Sequence, residues 1–302
     1  MSTADKLNYL LETKNEIKNA IVSKGITVKD TDTFRSYASK ISNISGTVID
    51  DDFYNMRTNN GTDGKGLFAY TSTEVCANTD FIEFVQNLDV SKIKSCEHMF
   101  YNSNFTNLNL SNWDTSNIIN MIWMFSSCSN LTDLDISNFD TSNTINIKYM
   151  FAYCSKLKNI NVNHFNINKI TSIYGTFQNM STLNYLNLSN WDTSNINEFT
   201  FAFSSNNNLI TIEGILDLTS AIYISYMFNN CTKLENVKIK NLNYTGLDLS
   251  KSTNLSYDSI MYLINNLIET TTTKSINLGA TNLAKLTDEE KAIATSKGWT
   301  LG

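Results

Sequence analysis

The 302-residue sequence contains no proline, only two histidines and only eleven glycines. Proline removes a backbone donor, so its absence suits a chain whose N–H groups are nearly all used in stacked strands and turns. Long apolar runs are also missing, and stretches such as 118–125 are too short to cross a bilayer. We therefore expect no membrane span. The first residues lack the apolar core and cleavage site of a signal peptide, so we do not expect classical secretion.

Charge and cysteine content narrow the function classes further. The formal net charge is -6, which argues against a general affinity for nucleic acid. The five cysteines are an odd number and none lies in a CxxC pair, so the sequence predicts neither a zinc site nor a disulfide framework. We expect no metal and no cofactor.

A repeat of 25 to 26 residues organises the middle of the chain, anchored on a recurring phenylalanine. Each copy carries an L-x-x-L-x-L row whose last two apolar positions alternate with polar ones, which predicts a short strand with one buried face. A Ser-Asn-Trp/Phe-Asp-Thr-Ser-Asn segment follows and predicts a turn. The apolar spacing in Ile145–Phe151 predicts a short helix. The anchors are Phe100, Phe125, Phe151, Phe177, Phe203 and Phe228.

Stacking of these units buries the apolar side that a single unit cannot cover. Two further columns are predicted to be structural. One holds Trp or Phe in the turn segment. The other contains cysteines, and Cys128 and Cys154 are near enough in it to bond; its asparagine and methionine occupants favour buried free thiols. Residues 208–216 lack the turn motif, so an irregularity is expected there. The cysteine column is aligned as Asn102, Cys128, Cys154, Met180, Asn206 and Cys231.

Both ends depart from the repeat. Amphipathic helices are predicted over 5–23 and 33–44. At the other end the pattern predicts a helix over 256–269, a strand over 275–278, and a helix from the capping box at Thr287 to Lys297. Gly298 should end that helix, and Trp299 should be buried in a final strand.

The phrase Leu-Asp-Ile-Ser-Asn-Phe-Asp-Thr-Ser-Asn, which ends at Asn143, resembles the BspA-like, mycoplasma-type lipoprotein leucine-rich repeats over about residues 81–250. The resemblance implies a curved solenoid and, for many members, a role as bacterial surface adhesin. The wording of residues 6–14 and 33–41 resembles amino-terminal segments of phage tail-fibre and baseplate-associated proteins of Gram-positive hosts, and residues 283–302 resemble the last unit of similar phage proteins.

We thus expect an α/β leucine-rich-repeat solenoid, a horseshoe of short parallel strands and short helices. Its predicted parts are a helical amino-terminal attachment module (1–46), a linker and cap (47–80), the repeats (81–250) and an α/β carboxyl-terminal capping unit (251–302).

Residues of the strand rows that point away from the core form a polar strip, which we expect on the concave sheet as the ligand-binding face. Its amides and carboxylates suit an extended polar ligand, although a solvated sheet face of an asparagine-rich chain would look the same. The predicted binding residues are Asn107, Asn109, Asp133, Asp135, Asn159, Asn161, Tyr185, Asn187, Glu213 and Lys238, with Thr211 and Asn236 between them.

The sequence favours a non-enzymatic recognition protein of a phage or phage-tail-like particle, made in the bacterial cytoplasm. Its expected partners are a bacterial surface glycan or protein, other tail proteins through the amino-terminal helices, and further copies in a homo-oligomer such as a trimer. Alternatives are a BspA-like adhesin at the cell surface and a structural tail spacer. An enzyme using Asp133 and Asp135 as acid and base is disfavoured, since no neighbour would raise one pKa, and His98 and His164 lack a nucleophile.

Overall fold

The computed structural model describes residues 63–302, together with Asn15, Lys18 and Asn19, which are helical. Apart from those three residues, the predicted attachment module and both of its helices lie outside the described residues. The described part is mixed α/β, with short parallel strands and few helices.

The helices lie mainly at the two ends of the described chain and the strands between them. Helices α1 and α2, which were not predicted, precede the first repeat, and a short 3-10 helix spans Thr193–Asn195. The helices are α1 (Thr73–Cys76), α2 (Thr79–Gln86), α3 (Tyr257–Asn265), α4 (Gly279–Leu283) and α5 (Asp288–Ser296). The strands are β1 (Asn107–Asn109), β2 (Asp133–Asp135), β3 (Tyr185–Asn187), β4 (Thr211–Asp217), β5 (Asn236–Lys240), β6 (Leu247–Asp248), β7 (Lys274–Asn277) and β8 (Trp299–Leu301).

All strand pairs are parallel, and in the repeats each strand pairs with the equivalent strand of a neighbouring repeat. Strand β1 pairs with β2, with Leu108 opposite Leu134. Strand β4 lies between β3 and β5, and the last sheet has the order β6-β7-β8. Parallel neighbours one repeat apart are what a stacked repeat requires.

The core is built on a stack of phenylalanine rings. The anchors from Phe100 to Phe228 are buried, and each ring stacks on the next at centroid distances of 5.3 to 6.0 Å. Phe68 extends the stack by one ring, 5.2 Å from Phe100, within the predicted linker and cap. Each buried ring contributes about 1.5–3 kcal/mol by leaving water, so this column holds successive repeats together.

The predicted helix over Ile145–Phe151 is wrong, because this segment is a series of tight turns. The N–H of Met150 bonds to the carbonyl of Ile147, whereas the N–H groups of Tyr149 and Phe151 donate to carbonyls of the next repeat. Alternate donors therefore serve neighbouring repeats, and no helical i to i-4 ladder can form. Helical apolar spacing arose here because every second or third residue faces the core.

The third copy departs from the prediction as well, since residues 159–161 form no strand. The turn after them also differs from the turns of other copies. In other copies a turn threonine, such as Thr115 and Thr193, donates its hydroxyl to a carbonyl of the next repeat at 3.0–3.1 Å. The equivalent residue in the third copy is Ile167, which cannot make this bond, so the link to the fourth copy is weaker.

The cysteine column is confirmed as buried free thiols: all five cysteines are free and buried. The thiols of Cys128 and Cys154 donate to the carbonyls of Phe100 and Phe125 at 2.9 and 3.0 Å. Asn206 donates from its amide in the same way to Phe177, at 2.7 Å. The column therefore accepts cysteine or asparagine because both donate to the preceding anchor carbonyl.

The first occupant of the cysteine column is Ser103 and not Asn102, as the sequence alignment had it. The Ser103 hydroxyl lies 3.3 Å from the Cys128 sulfur and is buried. Asn102 precedes it with a positive φ of 52°. Asparagine tolerates this left-handed conformation, so it occupies a turn position.

The irregularity expected at 208–216 is present as a bulge in β4. Thr211 pairs with Asn236 but Ile215 pairs with Lys238, so β4 contains two more residues than β5 between the two pairs. Gly214 has φ +104, and a Cβ there would lie 2.7 Å from the carbonyl oxygen of Leu188. Only glycine fits this close approach.

The carboxyl-terminal elements agree with the prediction. Helix α3 starts from the Ser256 cap, and α5 has both bonds of the capping box between Thr287 and Glu290. Gly298, with φ +86, follows the end of α5, and Trp299 is fully buried in β8. Helix α4 was not predicted. No helix of the described residues is long and apolar enough to cross a membrane.

Candidate functional site

The predicted strip separates into two columns, which we call outer and inner, on what we call the strand face. Alternation along each strand points both columns away from the core, as β1 shows with Leu108 buried between Asn107 and Asn109. The outer column is Asn107, Asp133, Asn159, Tyr185, Thr211 and Asn236, and the inner column is Asn109, Asp135, Asn161 and Asn187, with Glu213 and Lys238 at its carboxyl-terminal end.

The inner column is engaged in the fold. The side-chain oxygens of Asn109, Asp135 and Asn187 each accept the N–H two residues on, at 2.9–3.0 Å. Asn161 does the same at 3.4 Å. These side chains close the turn that follows each strand row, so a structural role accounts for them.

The outer column is more available to a ligand. Asn107, Asp133 and Asn159 are exposed. The contacts between neighbours are lateral and weak, for example 3.3 Å from the Asn236 amide to the Thr211 hydroxyl. Because β1 pairs with β2 and β3 pairs with β4 in register, donors and acceptors of neighbouring repeats lie side by side there.

The bulge of β4 opens a cavity at the carboxyl-terminal end of the strand face. Its volume is about 430 Å³, within the range of small-molecule sites. The N-terminal turn of α3, with Asp258, forms part of its wall, beside Glu213 and Lys238. An adjoining cavity of about 320 Å³ shares Gly214 and Ile215 with it. Sequence reasoning missed this cavity, although the irregular copy was its signal.

Charged and aromatic groups give this end a varied chemistry. The Tyr185 hydroxyl donates to the Glu213 carboxylate, and the Lys238 ammonium lies 5.6 Å from the centre of the Tyr262 ring. In the second cavity Asp217 pairs with Lys240 at 3.1 Å. Burial opposes ionisation of Asp217, but hydrogen bonds from Thr219, Asn241 and Lys240 outweigh it and lower its pKa.

The pair Asp133 and Asp135 offers little to an acid–base mechanism. Asp133 is exposed, and Asp135 accepts the Ser137 N–H. His164 contacts the Ile136 carbonyl at 3.1 Å, and burial lowers its pKa. Among the described residues no group of three or more His, Cys, Asp or Glu is placed to hold a metal ion.

A second surface, which sequence reasoning missed, lies half a repeat away along the chain. We call it the aromatic face: the described residues of the turn segments that run from six residues before Phe68 and each anchor phenylalanine to two residues after it. Six of its rings form a series in which each ring contacts the ring of the next repeat. Trp123 is stacked 4.0 Å from Tyr149, and Phe201 is stacked 5.1 Å from Tyr226. The series runs His98, Trp123, Tyr149, Tyr174, Phe201 and Tyr226.

The signal for this face was an aromatic residue two positions before most anchors. Trp123, Tyr149 and Phe201 have positive φ values of 56° to 59°, a conformation that costs a bulky residue about 1–3 kcal/mol. Gly175 takes the same position in the fourth copy, where a Cβ would lie 2.5 Å from the Tyr149 ring. The ring stack therefore stabilises a backbone that these residues otherwise disfavour.

Residues 69–185 and 154–257 match the family described as "Mycoplasma protein of unknown function, DUF285". The two matches together span residues 69–257, more than half of the chain. The chain belongs to this family. Membership in DUF285 agrees, at a coarse level, with the BspA-like, mycoplasma-type repeats that the sequence resembles. No curated protein matches the chain.

The DUF285 matches cover the anchor phenylalanines from Phe100 to Phe228, the strand face, and the aromatic face from Ala69 onward. They also include Phe203–Phe228, the copy that contains the bulge. The strand face, almost all of the aromatic face and the bulge that opens the cavity therefore lie within the DUF285 match. Apart from Tyr257, helix α3 and the elements after it lie beyond the matched residues, and so does the part of the cavity wall that Asp258 forms.

Proposed function

We propose that this DUF285 protein is a non-enzymatic recognition protein that binds an extended polar ligand through its strand face. The observation that carries the proposal is the outer column, in which exposed polar side chains recur at the same place from repeat to repeat, with β1 paired to β2 and β3 paired to β4. In this proposal the repeats form a leucine-rich-repeat solenoid of horseshoe shape, and the strand face is its concave side.

The ligand that fits this face best is a polymer with many hydroxyl and amide groups, such as a bacterial surface glycan or wall polymer. Asparagine side chains both donate and accept, so a row of them suits repeated hydroxyl groups. Tyr185 adds an aromatic ring, 44% exposed, beside the Glu213 carboxylate. The cavity at the bulge would hold one end or branch of the polymer.

The biological setting we propose is the tail of a phage or phage-tail-like particle, with the amino-terminal module joined to the particle. This part of the proposal is supported by the sequence of residues 6–14 and 33–41, which resembles segments of phage tail proteins. Both segments lie outside the described residues. The family match favours a second candidate, a BspA-like adhesin at the bacterial surface. Labelling tail particles with an antibody against the chain separates the two, since an adhesin would be absent from them.

Adsorption of the full chain to isolated Gram-positive cell walls tests the binding itself. The double variant Asp133→Ala with Tyr185→Ala removes two outer-column side chains and should weaken adsorption about tenfold or more, since each lost polar contact contributes about 0.5–1.5 kcal/mol. Asp135→Ala is the matched control, because that carboxylate serves a turn.

Three outcomes decide between the candidates. Weaker adsorption of the double variant, with Asp135→Ala close to the unmodified chain, supports the strand face. Equal adsorption of all three proteins moves the site to another surface. No adsorption by any of them favours the structural spacer.

A further inference from the structure

Most of the large hydrophobic side chains that are exposed in the described chain lie on the aromatic face. Seven of the twelve large hydrophobic side chains that are exposed lie on it. They include Ile145 at 54%, Tyr223 at 57% and Tyr226 at 60% exposure. Exposed apolar side chains concentrated on one face mark an interaction site, whereas single ones scattered over a surface need no explanation.

The charges of this face cancel, in contrast to the net charge of -6 on the whole chain. Over its described residues the face carries three lysines and three carboxylates. Two pairs are in direct contact: Lys65 with Glu97 at 2.6 Å, and Lys148 with Glu198 at 2.9 Å. An acidic chain repels its own copies, but least where its charges are balanced.

The ring geometry disfavours a sugar as the occupant. Trp123 and Tyr149 lie 21° from parallel and Phe201 and Tyr226 4° from parallel, so each ring covers the face of its neighbour. A sugar ring stacks on an aromatic face, and in these two pairs the neighbouring ring already covers one face of each ring. Exposed isoleucines between the rings suit another apolar protein surface.

We propose that the aromatic face is a self-association surface, on which a second copy of this chain packs its own aromatic face about a two-fold axis. A two-fold interface places the same patch on both subunits, so a neutral apolar face meets a neutral apolar face. The pairing leaves the strand faces of both copies free, and it does not depend on what the strand face binds.

The test is the mass of the full chain in solution by sedimentation or light scattering, up to about 100 µM, a concentration that reveals micromolar association. Ile119 and Ile210 form a matched pair, each 38% exposed, with only Ile119 on the aromatic face. Ile119→Lys should weaken dimerisation about tenfold, and the double variant Ile145→Lys with Tyr226→Lys should abolish it. Ile210→Lys should leave it unchanged.

Thermal unfolding by circular dichroism checks that the variants fold, which their exposed positions favour. A monomer at all concentrations overturns the proposal, and so does a trimer. A dimer that Ile210→Lys weakens as much as Ile119→Lys places the contact elsewhere and also overturns it. If the aromatic-face variants lose wall adsorption while the unmodified chain is monomeric, the face binds the wall and not a second copy.

Discussion

The strand face and the aromatic face are built by the same repeats around one phenylalanine stack, yet they use backbone and side chains in opposite ways. On the strand face, extended backbone pairs with neighbours and leaves small polar side chains in solvent. On the aromatic face, left-handed turns hold large rings that pack against each other. A stacked repeat can therefore present a hydrogen-bonding surface and an apolar surface from one sequence period.

The largest effect should come from the core that both faces share. Phe151→Ala removes a ring stacked 5.7 Å from Phe125 and 5.9 Å from Phe177. We expect a loss of about 3–5 kcal/mol in the free energy of unfolding, measured by urea denaturation. If both wall adsorption and dimerisation weaken as well, the core couples the faces; if only one weakens, the faces are independent.

Gly214→Ala should damage the strand face alone. The new Cβ would meet the Leu188 backbone, 2.7 Å from its carbonyl oxygen, in a backbone that L side chains rarely adopt. We expect a loss of about 1–3 kcal/mol in the free energy of unfolding, together with distortion of the 430 Å³ cavity.

Gly175→Ala is the comparison on the aromatic face. There the obstacle is the Tyr149 side chain and not backbone. The ring can move aside, so the loss should be smaller than for Gly214→Ala. Equal losses would mean that the φ of these residues, and not the close contact, sets the cost.

The two faces also differ in what the sequence could predict. The alternation of apolar and polar residues around Leu108 and Leu134 predicted which side chains point away from the core, because that pattern is local. The arrangement of the aromatic face was not predictable in this way. Its backbone bonds link residues about 25 apart, and helical spacing near Ile147 arises equally from consecutive turns.

The sequence predicted which residues belong to the candidate site. It did not predict which of them are available to a ligand and which support the fold. Nothing in the sequence distinguishes Asp133 from Asp135, since both are polar positions of one strand row. The difference lies in the next turn, where the Ser137 N–H needs an acceptor. The elements of the carboxyl-terminal capping unit were easier to predict, because signals such as Thr287-x-x-Glu290 act within one helical turn. The cavity depends on pairing between β4 and β5, which is not local.

Asp135→Ala and Asp133→Ala should separate structure from binding within the strand face. Asp135→Ala removes the acceptor of the Ser137 N–H and should cost about 0.5–1.5 kcal/mol of stability. Asp133→Ala should leave stability unchanged and weaken wall adsorption. Thermal unfolding and adsorption of both variants check this, and the reverse pattern would show that the inner column is the binding column.

The smallest effect should be a pH dependence of the aromatic face through Glu198. Burial opposes ionisation of this carboxyl, but hydrogen bonds from Lys148 and Ser172 outweigh burial and lower its pKa. A carboxyl whose pKa is lowered in the folded state stabilises the fold at pH values above its pKa in the unfolded chain, which is about 4.3. That contribution is lost as pH falls through the folded pKa.

For a partly exposed pair the contribution is below about 1 kcal/mol. Glu198→Gln should therefore lower the melting temperature slightly at pH 7 and reduce the further loss between pH 5 and 3, relative to the unmodified chain. Asp217→Asn is the comparison away from the aromatic face, because the Asp217 pKa is lowered too and its partner is Lys240. If Glu198→Gln melts like the unmodified chain at both ends of the pH range, the Lys148–Glu198 pair does not stabilise the aromatic face, and its apolar contacts alone would hold it.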